Sequence, residues 1–274
     1  MLKTLVIICV IAFIVVYFTI SILKNLKTEM NSVKIDFSDP DVSPVSLKVA
    51  VIGDIHLREG EDITKFLKLL DEVKSNSPDL VLLVGDYITG LRRIKNIDSH
   101  RRSIIRTFKS LDPIPRAVVL GNHDNETGRE KWFAEFKRLG VDVLENETRI
   151  MNVADVKVCV RGLGDYRSHR FKFVDYPAEC KNLPKITITH DPQGAFESGV
   201  EGLVFAGHTH CGQVSFPIIG PLKVPTKAPR AAICGLYKDS KRTLFVTSGV
   251  GTSIIPIRYG AQSQWDLINL SFMN

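Results

Sequence analysis

The chain has 274 residues, 44% of them hydrophobic and 24% charged, with a formal net charge of +6. That balance supplies a sizeable apolar core for one large domain and excludes a disordered, collagen-like or low-complexity chain. The mild basic excess suits an anionic substrate or an anionic membrane surface and equally describes many soluble proteins.

Residues 5–23 are an almost unbroken apolar run, interrupted only by Thr19 and Ser21. Such a run can cross the roughly 30 Å hydrocarbon core of a bilayer as one helix. It ends at Lys24 without the small-residue cleavage site of a signal peptide, so residues 1–27 are expected to be a retained transmembrane anchor. Lys24, Lys27 and Lys34 outweigh Lys3 and the amino terminus, which by the positive-inside rule places the following domain on the cytoplasmic side of a cell (inner) membrane. Residues 28–45 are polar, contain Pro40 and Pro44, and read as a linker. The five cysteines (Cys9, Cys159, Cys180, Cys211 and Cys234) are odd in number and include no CxxC unit. They do not suggest a disulfide framework, so free thiols in a reducing compartment are expected, with Cys211 filling a turn.

From Ser46 the pattern becomes regular, and residues 46–274 read as one domain. Residues 47–52 form an apolar strand that ends in Gly53-Asp54-Ile55-His56. Residues 62–74 follow helical spacing, with Ile63, Phe66, Leu67, Leu70 and Val73 on one face, and stop at Ser75-Asn76-Ser77-Pro78. A second apolar strand, 80–84, ends in Gly85-Asp86; a helix follows around 99–110. A third strand, 117–120, ends in Gly121-Asn122-His123-Asp124. This alternation implies right-handed crossovers and a layered α/β core. Further strands are expected at 141–144, 156–161, 186–189, 203–206 and 243–247, with few helices between them. They suit a second sheet packed on the first. The expected fold class is therefore α/β, a four-layer αββα sandwich of two mixed sheets preceded by the transmembrane helix.

Each polar cluster follows an apolar strand, where open α/β sheets place their sites. Asp54 and His56 follow the first strand, Asp86 the second, and Asn122 and His123 the third. His190 follows strand 186–189, and His208 and His210 follow 203–206. Singly, each has an ordinary structural role available, as a helix cap, a left-handed turn or a hydrogen-bonded corner. Jointly, they form a mixed oxygen and nitrogen donor set without thiolates, suited to manganese, iron or zinc. Two cations about 4 Å apart need an anionic ligand between them, and together they offset negative charge during in-line attack at phosphorus.

The motifs DxH, GD, GNHD, H and GHTH, in that order, resemble the calcineurin-like metallophosphoesterase superfamily over residues 46–270. That resemblance implies that Asp54, His56 and His210 hold one divalent metal, and that Asn122, His190 and His208 hold the other. Asp86 would bridge them, and His123 would bind the phosphoryl group or protonate the leaving group. Manganese is the implied metal, with iron or zinc as alternatives.

Gly85-Asp86-Tyr87-Ile88-Thr89-Gly90 lacks the Asp-Arg pair of the protein phosphatase branch, which argues against protein substrates. His190-Asp191-Pro192, GHTHCGQV and the stretch from Ser248 to Arg258 look instead like a membrane-anchored bacterial branch. That branch comprises small phosphodiesterases and a UDP-2,3-diacylglucosamine pyrophosphatase type acting in the lipid A pathway.

The expected activity is hydrolysis of a phosphodiester or pyrophosphate bond in a phosphorylated, membrane-associated and lipid-linked small molecule. Membrane lipids are the other expected partner; no nucleic acid is expected and no protein partner is inferred. A general phosphodiesterase on nucleotide or envelope substrates is the alternative, and a catalytically silent membrane scaffold is the alternative of another class. Arg92 and Arg93, in the basic stretch reaching Arg101, Arg102 and Arg106, are candidate diphosphate contacts. Arg258 is a third, implied by the resemblance alone.

Overall fold

The computed structural model describes residues 2–61, 63–90 and 94–274, and for residues 2–6, 9, 10, 13 and 14 the backbone alone. The chain begins as helix α1 (Leu2–Leu26) and passes at once into strand β1 (Glu29–Ser38). The expected linker is thus largely a strand. β1 lies parallel to β13 (Gln264–Met273), paired residue for residue from Glu29↔Gln264 to Ser38↔Met273. The polar run Glu29, Asn31, Lys34 and Asp36 hid it, because a half-exposed edge strand buries few side chains, here chiefly Ile35.

The first sheet runs in the order β1-β13-β2-β3-β4, with β2 at Val45–Ile52, β3 at Leu80–Leu83 and β4 at Arg116–Val118. β2, β3 and β4 are mutually parallel, and β13 is antiparallel to β2. Their near-continuous apolar sequences follow from burial on both faces. One face takes helices α2 (Ile63–Ser75), α3 (Ile97–Thr107) and α5 (Arg129–Arg138), which contribute Phe66, Leu70, Ile104, Trp132 and Phe136. A single helical turn, α4 (Asn122–Glu126), precedes α5.

The second sheet holds β5 (Glu147–Val153), β6 (Val156–Gly162), β7 (Lys185–Ile188), β8 (Gly202–Ala206), β11 (Gly235–Lys238) and β12 (Arg242–Val246). Its order is β11-β12-β8-β7-β6-β5, with β6, β7, β8 and β12 parallel and the edges antiparallel. A short hairpin, β9 (Ser215–Phe216) and β10 (Gly220–Pro221), stands apart. Val49, Val51, Leu80 and Leu82 of the first sheet meet Val160, Ile186, Ile188 and Phe205 of the second in the inter-sheet core.

The outer face of the second sheet departs from the expected helical layer. Among the described residues, Val204, Ala206, Leu244 and Val246 are covered by short 3₁₀ turns carrying Ala195 and Ala232. The expected strand at 141–144 amounts to one bridge, Val118↔Val143.

Two further expectations are corrected. Cys159 is disulfide-bonded to Cys180, and Cys211 to Cys234. Four cysteines scattered over 76 positions carry no spacing signal for such pairs, because connectivity is fixed only by the fold. Arg101 is buried, with its guanidinium donating to Asp98 at 2.8 Å and to the Thr127 carbonyl and lying over Trp132. It stitches α3 to α5 and does not face a ligand. Among the described residues no helix is long and apolar enough to cross a membrane; part of the expected anchor lies outside the residues whose side chains are described.

Candidate metal centre

Every expected ligand lies just beyond the carboxyl end of a parallel strand: β2, β3 and β4 from one sheet, β7 and β8 from the other. Both sheets therefore deliver side chains to one edge of the sandwich. The chain must turn hard there, and the backbone records it. Asp54, His56, Asp86, His208 and His210 all have φ between 47° and 69°, in the left-handed region. Non-glycine residues in that region cost roughly 1–3 kcal/mol each and persist where the surroundings over-determine them, typically at functional sites.

The surroundings are cross-linked loops. Asp54 N–H donates to the Gly85 carbonyl and His56 N–H to the Asp86 carbonyl, at 2.9 and 3.0 Å. Asp124 accepts from the backbone N–H of Asp86, Tyr87 and Gly121, pinning the second loop to the third. Gly121 and Gly207 permit close approaches, since a Cβ there would fall 2.2 Å from Asp86 Oδ1 or 2.5 Å from Asp54 Oδ2.

The side chains form two clusters that share Asp86. In the first, His56 Nε2 and His210 Nε2 stand 3.0 Å apart, and Asp54 Oδ1 is 3.4 Å from His210 Nε2 and 3.8 Å from His56 Nε2. In the second, His190 Nε2 is 3.1 Å from His208 Nδ1. Asp86 Oδ2 lies between them, 3.6 Å from His56 Nε2 and 3.2 Å from His190 Nε2.

The remaining atoms of these groups are occupied in ways that leave the inward atoms bare. His190 Nδ1 is hydrogen-bonded to the Val84 carbonyl and His208 Nε2 to the Pro225 carbonyl, so each ring, when neutral, presents its other nitrogen as an acceptor. Asp54 Oδ2 accepts from His208 N–H and Asp86 Oδ1 from His123 N–H. Asp54 Oδ1 and Asn122 Oδ1 are buried with no hydrogen-bond partner. Buried acceptors converging without donors are what a cation site requires. The donor set fits divalent cations.

Electrostatics agree with that reading. Burial, opposed by His190, pushes Asp54 up to about 7. Burial also holds His56 down at about 3, while burial, His56 and Arg258 hold His210 well below its usual range; both rings are therefore neutral, the form that binds metals. At the second cluster burial opposes both charges, yet the attraction between His190 and Asp86 wins. His190 is raised well above and Asp86 lowered well below its ordinary value.

His123 lies at the open side, its side chain 24% exposed, with its ring against that of His56 at 5.1 Å. Its Nδ1 is 3.4 Å from Glu126 Oε2, one turn along α4. Glu126 was not singled out in the sequence, although its position three residues after a histidine at a helix start was available as a signal. Arg92 and Arg93 lie outside the described residues. Arg258 is fully buried: it donates to the carbonyls of Ser248, Gly249 and Gly251 and to Ser248 Oγ, with Nη2 3.2 Å from His210 Nδ1. It braces the loop behind His210 and does not face the open side as a phosphate contact would.

Residues 47–212 match the family model described as calcineurin-like phosphoesterase. A phosphodiesterase from Escherichia coli (strain K12), YaeI, is 25% identical over 229 residues, covering 81% of this chain and 82% of that protein. A transmembrane protein with a metallophosphoesterase domain from Danio rerio is 25% identical over 236 residues, covering 80% of this chain; the chain spans about half of that relative's length, 52%. Among solved structures, the 5'-nucleotidase precursor from Thermus thermophilus shares the fold, with a TM-score of 0.50 at 16% identity, over 83% of this chain and 55% of that one. With the family model covering more than half of the sequence and its ligand motifs converging at one sheet edge, the chain belongs to the calcineurin-like phosphoesterase family, metal-dependent hydrolases of phosphoester bonds.

Proposed function

We propose that the domain hydrolyses a phosphodiester or pyrophosphate bond with two divalent cations, and that its substrate is membrane-associated. The observation that carries the first part is the position of Asp86 Oδ2 between His56 Nε2 and His190 Nε2, at 3.6 and 3.2 Å. One carboxylate oxygen facing two nitrogen clusters supports a bridging role. Asp54, His56 and His210 would hold one cation, and Asn122, His190 and His208 the other. Manganese is the metal we propose, with iron and zinc compatible with the same donors. When bound, such a pair supplies an activated water and offsets the negative charge that develops at phosphorus. His123, on the open side, binds a phosphoryl oxygen or protonates the leaving group, and Asp86 Oδ1 fixes its backbone.

Membrane association rests on α1, whose described side chains Ile7, Ile11, Val15, Val16, Ile20 and Leu23 are all apolar and exposed. A helix with this many exposed aliphatic side chains is not stable in water alone. We read it as a single-pass anchor, a reading in keeping with the description of the Danio rerio relative as a transmembrane protein. The two disulfides support an oxidising compartment, and therefore a domain outside the cytoplasm, in place of the side that the lysine count favours. A lipid phosphodiester is the substrate class that fits this placement. UDP-2,3-diacylglucosamine is the specific pyrophosphate alternative.

The test is a manganese-supplemented assay of the full chain in detergent. It compares a phosphomonoester, a soluble phosphodiester, a phospholipid and UDP-2,3-diacylglucosamine. Turnover of the diesters above the monoester is expected. No turnover of any of the four by protein shown to contain metal refutes the hydrolase reading.

A further inference from the structure

The loops bordering the metal clusters expose an unusual run of aliphatic side chains. Ile218, at the tip of the β9–β10 hairpin, is 99% exposed, with Ile219 at 69% and Leu222 at 64%. Ile255 and Ile257 are exposed on the neighbouring loop, and Gln213 joins the two through hydrogen bonds to the Ile255 carbonyl and from Ser253 N–H. One of the loops leaves directly from a ligand-bearing segment and the other packs behind it. The hairpin follows His210, and the second loop ends at Arg258 behind the same histidine. Scattered exposed aliphatics need no explanation, but several on two hydrogen-bonded loops beside a site do.

The seating of α1 says what covers them. Phe18 stacks on Tyr259 with ring centroids 5.0 Å apart, and Tyr259 packs in turn on Phe216 of the hairpin at 5.1 Å. Below, Gln262 and Ser263 tie to the carbonyls of Lys24 and Asn25. The hairpin is therefore not at the end of α1 but beside it. Phe18 stands eight residues, about 12 Å at 1.5 Å per residue, before Leu26, inside the apolar run. If Phe18 is at membrane depth, so is the hairpin. Lys223, Lys227 and Arg230 are exposed on the stretch immediately after it, where headgroup phosphates would lie.

We propose that this rim is a membrane-embedding face. Ile218, Ile219, Leu222, Ile255 and Ile257 enter the outer part of the bilayer beside α1. The open side of the metal clusters is thereby held at headgroup level, and a lipid phosphodiester reaches the clusters without leaving the membrane. The occupant is the bilayer itself. Pro225, whose carbonyl holds His208, belongs to the same stretch as the basic residues, so the path from headgroup to ligand is short. This inference rests on the anchor reading above.

The experiment uses the full chain reconstituted in phosphatidylglycerol–phosphatidylcholine vesicles, with lipids brominated on their acyl chains as fluorescence quenchers. Ile218→Trp reports the rim and Ile11→Trp reports the anchor; native Trp132 and Trp265 are buried and supply the background. Quenching of both introduced indoles is expected. Quenching at position 11 with none at 218 overturns the rim and leaves the anchor standing. Absence of quenching at both overturns the two together. In parallel, the triple variant Ile218→Ser, Ile219→Ser, Leu222→Ser should lower the ratio of phospholipid to soluble-diester turnover by about tenfold, as loss of interfacial apolar contacts implies. An unchanged ratio overturns the substrate-delivery role.

Discussion

Removing the Cys211–Cys234 bridge tests whether the metal loop is held by covalent tethering. His210, Cys211, Gly212 and Gln213 all have positive φ, a run of left-handed residues that an untethered loop would relax. The bridge closes a loop with a sequence separation of 23, for which chain entropy predicts about 3.4 kcal/mol of stabilisation. The perturbation is Cys211→Ala with Cys234→Ala, so that no lone thiol remains. The control is Cys159→Ala with Cys180→Ala, a separation of 21 and about 3.3 kcal/mol, located at the far end of β7 from His190. Urea unfolding followed by the fluorescence of Trp132 and Trp265 should show a similar stability loss for the two pairs. Manganese titration should separate them: the first pair loses affinity by about tenfold or more, as for residues supporting a metal ligand, and the control does not. Equal metal affinity in both variants, or a stability loss under about 1 kcal/mol for the first, would refute the reasoning.

Other outcomes follow from the site. Asp86→Asn keeps shape and the acceptor for His123 N–H but removes the shared charge; turnover should fall by more than about 100-fold while the far-ultraviolet circular dichroism is retained. Asp54, raised to about 7 in the cation-free protein, is held protonated more firmly folded than unfolded. Its contribution to cation-free stability therefore declines as pH rises from about 4 to about 7, and cations bind better over the same interval. Manganese should thus raise the melting temperature more at pH 7.5 than at pH 5.5, and an equal shift at both would contradict the assignment. Glu126→Gln removes the carboxylate 3.4 Å from His123 Nδ1 and should lower turnover by less than about tenfold, because that carboxylate is half exposed. An unchanged rate would show that Glu126 does not orient His123.

The clustered polar residues were legible because strand ends are written locally. An apolar run followed by Gly-Asp or Gly-Asn-His needs no partner elsewhere in the chain to be read, and β2, β3, β7 and β8 fall within two residues of expectation. β1 and β13 were not legible, because each is a half-polar stretch whose identity depends on pairing across more than 230 positions. The disulfides failed for the same reason. Arg258 was misplaced because an arginine near a phosphate-type motif reads the same whether it faces the substrate or caps carbonyls; only its burial separates the two. Asp124 had a visible position in the GNHD turn, yet its role, accepting from three backbone N–H groups of two loops, is a property of the assembled edge.

The parallel pairing of β1 with β13 also sets the order in which the domain can be completed. β1 follows α1 directly, but both it and β2 take β13 as their hydrogen-bonded neighbour, more than 200 residues further along the chain. The first sheet therefore stays divided until β13 has been made, at least roughly ten seconds after β1 at ribosomal rates. A domain that cannot close early remains threadable throughout that interval.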